Sequence, residues 1–298
     1  MAVYKRAYAG YDGGHTPRWA RFLVLARYSV RDIFASRFFT VMYVLCFMPF
    51  LVEATLVYVA HSSTAQLILK LNQQDVLTID AGFFLTCMAI QAWFGFLAAA
   101  WVGPTLVSPD LTNGALPLYL SRPFSRREYV MGKSAVLGGL ISVLVWVPVL
   151  LLFLLNAALA PGAWLAQKYW IAGSIVASGL LWALFLCLLS LALSAWVRWR
   201  VLATLLTFMV FMLPSGFGKI VNVILRTNVG NLLDFFYLAQ RVSMWLFAFH
   251  DPMEDGTPPA AFGRPTPALV AFITLCVVMS FCLWMLNRRL RAREVVRG

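Results

Sequence analysis

Charge is scarce in this sequence: Asp, Glu, Lys and Arg supply 12% of 298 residues, about half the share in a soluble domain. That is too little polar material to coat a folded core, so a water-soluble globule is excluded. Histidine is scarcer still. His15, His61 and His250 are scattered outside the apolar stretches, which leaves no metal centre to build. The five cysteines, at 46, 87, 187, 276 and 282, lie inside apolar stretches and show no metal-ligand spacing. An odd number cannot all pair, so they read as small buried hydrophobes. No internal repeat appears, and no chain of buried acids of the kind an ion-driven pump needs. Nor is there a cluster of His, Asp or Glu at one membrane face, as an embedded lipid-modifying enzyme would require. No secretory signal is evident, because the first apolar run begins near Phe38 behind a long basic leader.

What is abundant is apolar residue, 61% of the chain. In hydrocarbon every backbone N–H and C=O needs an internal partner, which leaves helices or closed barrels. The apolar stretches run for about 20 residues or more without alternation, which selects helices. Six segments qualify: 38–60, 82–107, 131–155, 169–196, 201–221 and 266–287. The fold class expected is therefore all-α, a polytopic membrane protein with six transmembrane helices. The fifth span carries Pro214, Gly216 and Gly218 in its outer half, where an unwinding or a turn back is expected. Pro49, Pro104 and Pro148 are expected to kink spans one, two and three.

Net charge is +12. Of the 24 basic residues, 18 fall in residues 1–37, 108–133, 196–201 and 288–298, all on one side of a six-span layout. The positive-inside rule makes that side cytoplasmic, with both termini on it. The same rule accounts for the basic balance without nucleic acid as a partner. The domains expected are a cytoplasmic N-terminal segment (1–37), a six-span domain (38–287) and a cytoplasmic tail (288–298).

Two amphipathic stretches flank the spans. In residues 19–37, Trp19, Phe22, Leu23, Ala26, Val30, Ile33 and Phe34 fall at helical spacing, with Arg21, Arg31 and Asp32 mostly off that stripe. Such a helix lies in the membrane interface and anchors the N-terminus, with or without a docking role beside it. On the opposite side, the 222–265 loop contains NVGNLLDFFYLAQRVSMWLFAFH. Its spacing predicts one or two amphipathic helices dipping into the outer leaflet between spans five and six.

The segment joining spans two and three, residues 108–133, carries the functional signal. Ser108-Pro109-Asp110 reads as a helix start: hydroxyl cap, proline at the first position, acid at the positive end. Pro123 stops the chain, and Ser125 through Glu128 form a capping box opening span three. Gly132-Lys133-Ser134 looks like the end of a P-loop, but Arg127 stands where the first glycine must be and no strand precedes it. This chain is therefore not read as hydrolysing ATP itself.

The run D-x-x-x-G-x-L-x-x-x-L-S-R-P-x-S-R-x-E-Y-x-x-G-K resembles the cytoplasmic loop of ABC type-2 permeases, membrane subunits of bacterial ABC exporters with the six-span, type V arrangement. The layout is similar over nearly the whole chain, while the residue-level match is confined to 108–133. The resemblance implies that Asp110 through Leu120 form a coupling helix docking on a separate ATPase subunit. Gly114 matches its small residue, Arg122 and Pro123 its arginine-proline turn, and Arg126, Tyr129, Gly132 and Lys133 the start of span three. Pro117 departs from the pattern and is expected to kink that helix, which leaves its length open but not its docking. The resemblance also implies a second permease copy, as homodimer or close paralogue, a bacterial inner-membrane location, and ATP with Mg on the partner, none on this chain. A wall of Phe, Leu, Trp and Met fits an amphipathic or lipid-like cargo. The alternatives weighed against it are an ion-coupled secondary transporter and a membrane-embedded lipid-modifying enzyme.

Within the spans, Glu53 and Gln91 are candidate pathway residues, since embedded polar groups are functional hypotheses by default. A polar contact between helices is the other reading. Gly95 with Ala99 and Gly173 with Ala177 offer close helix approach, more for packing within the subunit than between subunits.

Overall fold

The computed structural model describes residues 21–68, 78–113, 126–160, 162–197, 199–248 and 266–289. Six helical segments are long and apolar enough to cross a membrane. In order come α1 (Arg21–Phe34), α2 (Arg37–Leu45), α3 (Met48–His61), α4 (Ser63–Ile68), α5 (Ala81–Thr112), α6 (Arg126–Leu159), α7 (Ala163–Trp196), α8 (Arg200–Leu225), a 3-10 turn (Val229–Leu233), α9 (Phe235–Leu246) and α10 (Ala268–Arg289). Spans one to six are α2 with α3, then α5, α6, α7, α8 and α10. The architecture is all-α and polytopic, as expected.

Spans two, three and four bury half or more of their central residues, and spans one, five and six less than a third. The inner trio is stitched by hydrogen bonds to backbone carbonyls, which is how helices gain specificity where lipid is as apolar as their side chains. From span four, Trp182 Nε1 donates to Ala92 O (3.2 Å) and Ser190 Oγ to Ala99 O (2.9 Å) of span two. Ser194 Oγ donates to Pro104 O at 3.4 Å and accepts from Ser108 N at 3.1 Å. One hydroxyl thus sits inside the helical ladder of span two, between the groups of a normal i→i−4 bond. Ser108 Oγ in turn donates to Val197 O.

This overturns the reading of Ser108 as a helix start. Span two runs on through Pro104 and Pro109 to Thr112, because span four supplies partners where the ladder is disturbed. Span one does break, at Cys46–Phe47, just before Pro49 at the start of α3. Span three passes through Pro148 without interruption. Span five also differs from expectation, continuing as one helix through Pro214 and Gly218 to Leu225. An opened turn in hydrocarbon strands backbone groups, and Gly218 serves another purpose.

That purpose lies in the chain after span five. Arg226, in the left-handed region at φ 50°, ends the helix, and the 3-10 turn packs back alongside it. A Cβ on Gly218 would meet Gly230 O at 2.2 Å, and one on Gly230 would meet Gly218 O at 2.1 Å, so the two backbones touch. Asn222 fixes the register, accepting from Gly230 N (2.7 Å) and donating to Asn231 Oδ1 (2.7 Å). Asp234 caps α9 by accepting from Tyr237 N (3.1 Å) and accepts from Ser215 Oγ of span five (2.6 Å). The segment therefore turns back into the bundle between spans five and six, packing on spans two, four and five. Phe236 stacks on Trp93 at 4.0 Å and meets Phe96 at 5.5 Å, about halfway along span two. Helix α9 returns to Leu246, whose carbonyl accepts from Ser174 Oγ (2.6 Å), and is tied to the start of span six by Arg241 Nε to Thr266 O (3.2 Å).

The small-residue pairs divide. Gly95 packs against Val145 of span three and Ala99 is buried, whereas Gly173 has open space around it. Four cysteines are buried and Cys276 is half-buried, all as free thiols.

Candidate functional site

The end of the bundle that gathers α1, Asp110, Lys133, Arg200 and Arg289 is the basic end. There the two descending arms of the 114–125 loop are fastened to each other. Lys133 Nζ of span three lies 3.0 Å from Asp110 Oδ2 of span two. Tyr129 Oη donates to the same carboxylate at 2.8 Å, and the Lys133 ammonium sits 5.7 Å from the Tyr129 ring centre. Both charged side chains are largely buried, at 8% exposure for Lys133 and 17% for Asp110. Spacing along span three explains the convergence, since Tyr129 and Lys133 are one helical turn apart and face the same way.

The joint has a third member. Lys133 Nζ also donates to Ser29 Oγ of α1 at 3.4 Å. One residue earlier, Gly132 lets α1 come close: a Cβ there would meet Phe22 O at 3.0 Å and Leu25 Cδ2 at 3.2 Å. The P-loop look of Gly132-Lys133 thus has a packing explanation. Helix α1 buries Ser29 and half-buries Phe22, Leu25, Ala26, Val30 and Ile33 against the bundle. This corrects the apolar stripe read from sequence: Leu23 and Phe34 are exposed, as are Arg31 and Asp32. The helix turns to bring Ser29 to Lys133, a polar contact that hydrophobic spacing alone does not register.

Of the loop residues singled out in sequence, the structure brings together Asp110 and Tyr129, with Lys133. Asp110 stands in the last turn of span two and not at the start of a separate helix, because span two extends past it. Span three is helical from Arg126, the first described residue after the loop, and the capping box at Ser125 lies outside the described residues. Gly114, Leu120, Arg122, Pro123 and Ser125 lie outside the described residues, as do Trp19 and the Arg126 side chain. What the sequence missed was the Asp110–Lys133 pair. The available signal was a lone acid and a lone base at the two membrane ends of one loop.

Glu53 and Gln91 are buried at 4% and 0% exposure and neighbour each other, with Cys87 beside them. Gln91 and Cys87 are the polar groups facing the Glu53 carboxyl, but neither Glu53 oxygen and neither Gln91 amide atom reaches full hydrogen-bond geometry. Among the described residues no cation pairs with Glu53. The cluster is a polar island between spans one and two.

Six apolar spans with a polar joint at one end define a multi-pass membrane protein. The chain matches the model of the ABC-2 family transporter proteins over residues 23–289, nearly its whole length, and it belongs to that family. It is a membrane permease of an ABC transporter, a transport subunit, and membership implies an ABC ATPase as partner. No curated protein matches the chain at significance.

Proposed function

We propose that this chain is the membrane subunit of an ATP-driven exporter, taking its power stroke from a separate ATPase subunit through residues 108–130. In this reading the basic end is cytoplasmic, with residues 1–37 and 288–298 on that side of a bacterial inner membrane. The re-entrant segment, residues 229–246, then faces outward. ATP and Mg are held by the partner, and this chain's contribution is mechanical.

The observation that carries the reading is the buried Asp110–Tyr129–Lys133–Ser29 joint. A push on the loop between Thr112 and Arg126 reaches spans two and three together. Through Ser29 and Gly132 it also reaches α1. A loop that only linked two helices would need no buried ion pair, which is expensive to desolvate. The lightly buried spans one, five and six supply apolar surface for a second permease copy, a homodimer or close paralogue, and for lipid. The exposed face of span five, with Leu205, Met209, Met212 and Phe217, suits a pathway for amphipathic cargo.

The test is charge reversal at Arg122 and Arg126 in the complex reconstituted into vesicles. The double variant R122E/R126E should insert normally and lose at least tenfold in transport per ATP hydrolysed. Normal transport by that variant, or a complex that never recovers an ATPase, would refute the docking role.

A further inference from the structure

A cavity of about 370 Å³ lies at the basic end, beside the joint. Its walls come from α1, from the start of span one, from span two between Trp101 and Asp110, from Lys133 of span three and from Arg200 of span five. Four charged side chains face it: Asp32, Asp110, Lys133 and Arg200. Asp110 and Lys133 neutralise each other. That leaves one carboxylate, Asp32, and one guanidinium, Arg200. Neither side chain makes an ion pair or hydrogen bond among the described residues, and both are exposed at the rim.

The cavity is also half apolar, and it adjoins a lipid-facing track. Trp101 lines it and packs on Phe38 at 5.2 Å. Phe38 opens the outward face of α2, which continues through Val41, Val44 and Leu45, all more than half exposed. An aromatic pair at this level is where amphipathic molecules settle at a membrane surface. A ligand for this place carries one anionic and one cationic group on a small head and an apolar tail beside it. A cavity of this size falls at the small end of the roughly 300–1,000 Å³ range of ligand sites, enough for a compact head.

We propose that this cavity holds the phosphate–ammonium headgroup of a zwitterionic phospholipid, the phosphate on Arg200 and the primary ammonium on Asp32, with the acyl chains along the outer face of α2. A guanidinium matches phosphate oxygens with its forked donors, and a primary ammonium offers Asp32 three N–H donors. The site does not depend on how the ATPase docks. A lipid seated there bridges α1, span two and span five, the elements around the joint.

The experiment titrates the purified full-length chain in detergent with three lipids of identical acyl chains and counts bound lipid by native mass spectrometry. Phosphatidylethanolamine should bind about tenfold more tightly than phosphatidylglycerol, which lacks the cation, as for loss of one charge-assisted hydrogen bond. Phosphatidylcholine, whose methylated nitrogen has no N–H, should fall between them. D32N should erase the difference between phosphatidylethanolamine and phosphatidylglycerol. R200Q should weaken all three lipids about tenfold, and R200K, which keeps the charge without the fork, should restore only part of the binding. Equal affinities for the three lipids, unchanged by either substitution, overturn the assignment. Displacement by soluble glycerophosphoethanolamine at the same concentration as the lipid overturns it in favour of a free zwitterion, since the tails would then contribute nothing.

Discussion

At the basic end, spans two and three are joined by a buried ion pair and a phenol hydrogen bond, whereas at the opposite end span five and the re-entrant turn meet backbone to backbone. The first joint is made of long side chains with distinct rotamers. Lys133 reaches Asp110, Ser29 and the Tyr129 ring at once through a flexible four-carbon stem. The second offers no such slack, because Gly218 and Gly230 leave no atoms between two carbonyls and the neighbouring backbone. Asn222 and Asp234 satisfy the polar groups around it. The proposed coupling through residues 108–130 fits this asymmetry, with side-chain contacts at the end proposed to take the force and a backbone-fixed register at the other. Packed backbones have discrete arrangements and do not deform continuously.

The sharpest way to break the comparison is at the fixed end. Gly230→Val places a branched side chain where even a Cβ meets Gly218 O at 2.1 Å and Asn222 Oδ1 at 2.7 Å. Asn222 and Asp234 hold the turn against span five by hydrogen bonds that a retreat would break. The variant should lose well over ~3 kcal/mol, the upper range of overpacking, and fail to give a monodisperse peak after detergent extraction. A variant that extracts and melts like the parent would show the turn to be loose.

The adjustable end should yield less, and in a reversible way. Lys133→Met leaves the Asp110 carboxylate largely buried with Tyr129 as its remaining described partner, and should destabilise by about 3 kcal/mol. Adding Asp110→Leu removes the uncompensated charge and should bring the melting temperature back to within ~1 kcal/mol equivalent of the parent. No second substitution of that kind rescues Gly230→Val. Equal melting curves for Lys133→Met and the parent would mean that the pair contributes no stability.

These two joints were unequally legible in the sequence. The six spans could be read directly, because runs of about 20 apolar residues have few alternatives. The re-entrant helix was visible as apolar spacing from Val229 to Phe249, but its depth was not. Depth depends on Gly218 and Gly230 meeting across a turn, and a glycine in a span reads equally as a break. Ser108-Pro109-Asp110 misled for a related reason. The same three residues that cap a helix start also sit inside a helix when Ser194, on another span, fills the gap beside Ser108. The ion pair joins residues on two spans across a loop, and Ser29 arrives from a third element, so no local pattern contains it. Glu53 and Gln91 were found as polar residues, while their adjacency needed the packing of span one on span two.

That polar island supplies the smallest expected effect and the contrast with both joints. Glu53 has neither the cation that stabilises Asp110 nor the well-aligned donors that serve Asp234, since the Gln91 amide and Cys87 thiol beside it fall short of full hydrogen-bond geometry. A group in that position lowers stability, so replacing it with an apolar residue of similar volume should be neutral or favourable. Glu53→Leu should therefore raise stability by about 1 kcal/mol, within the usual gain from removing an unsatisfied buried group. Transport per ATP hydrolysed should fall severalfold in the same variant, because a membrane-embedded ionisable residue that weakens the fold is retained for the work it does. Thermal melting and vesicle transport measured on one preparation separate the two effects. A more stable variant with undiminished transport would remove Glu53 from the pathway.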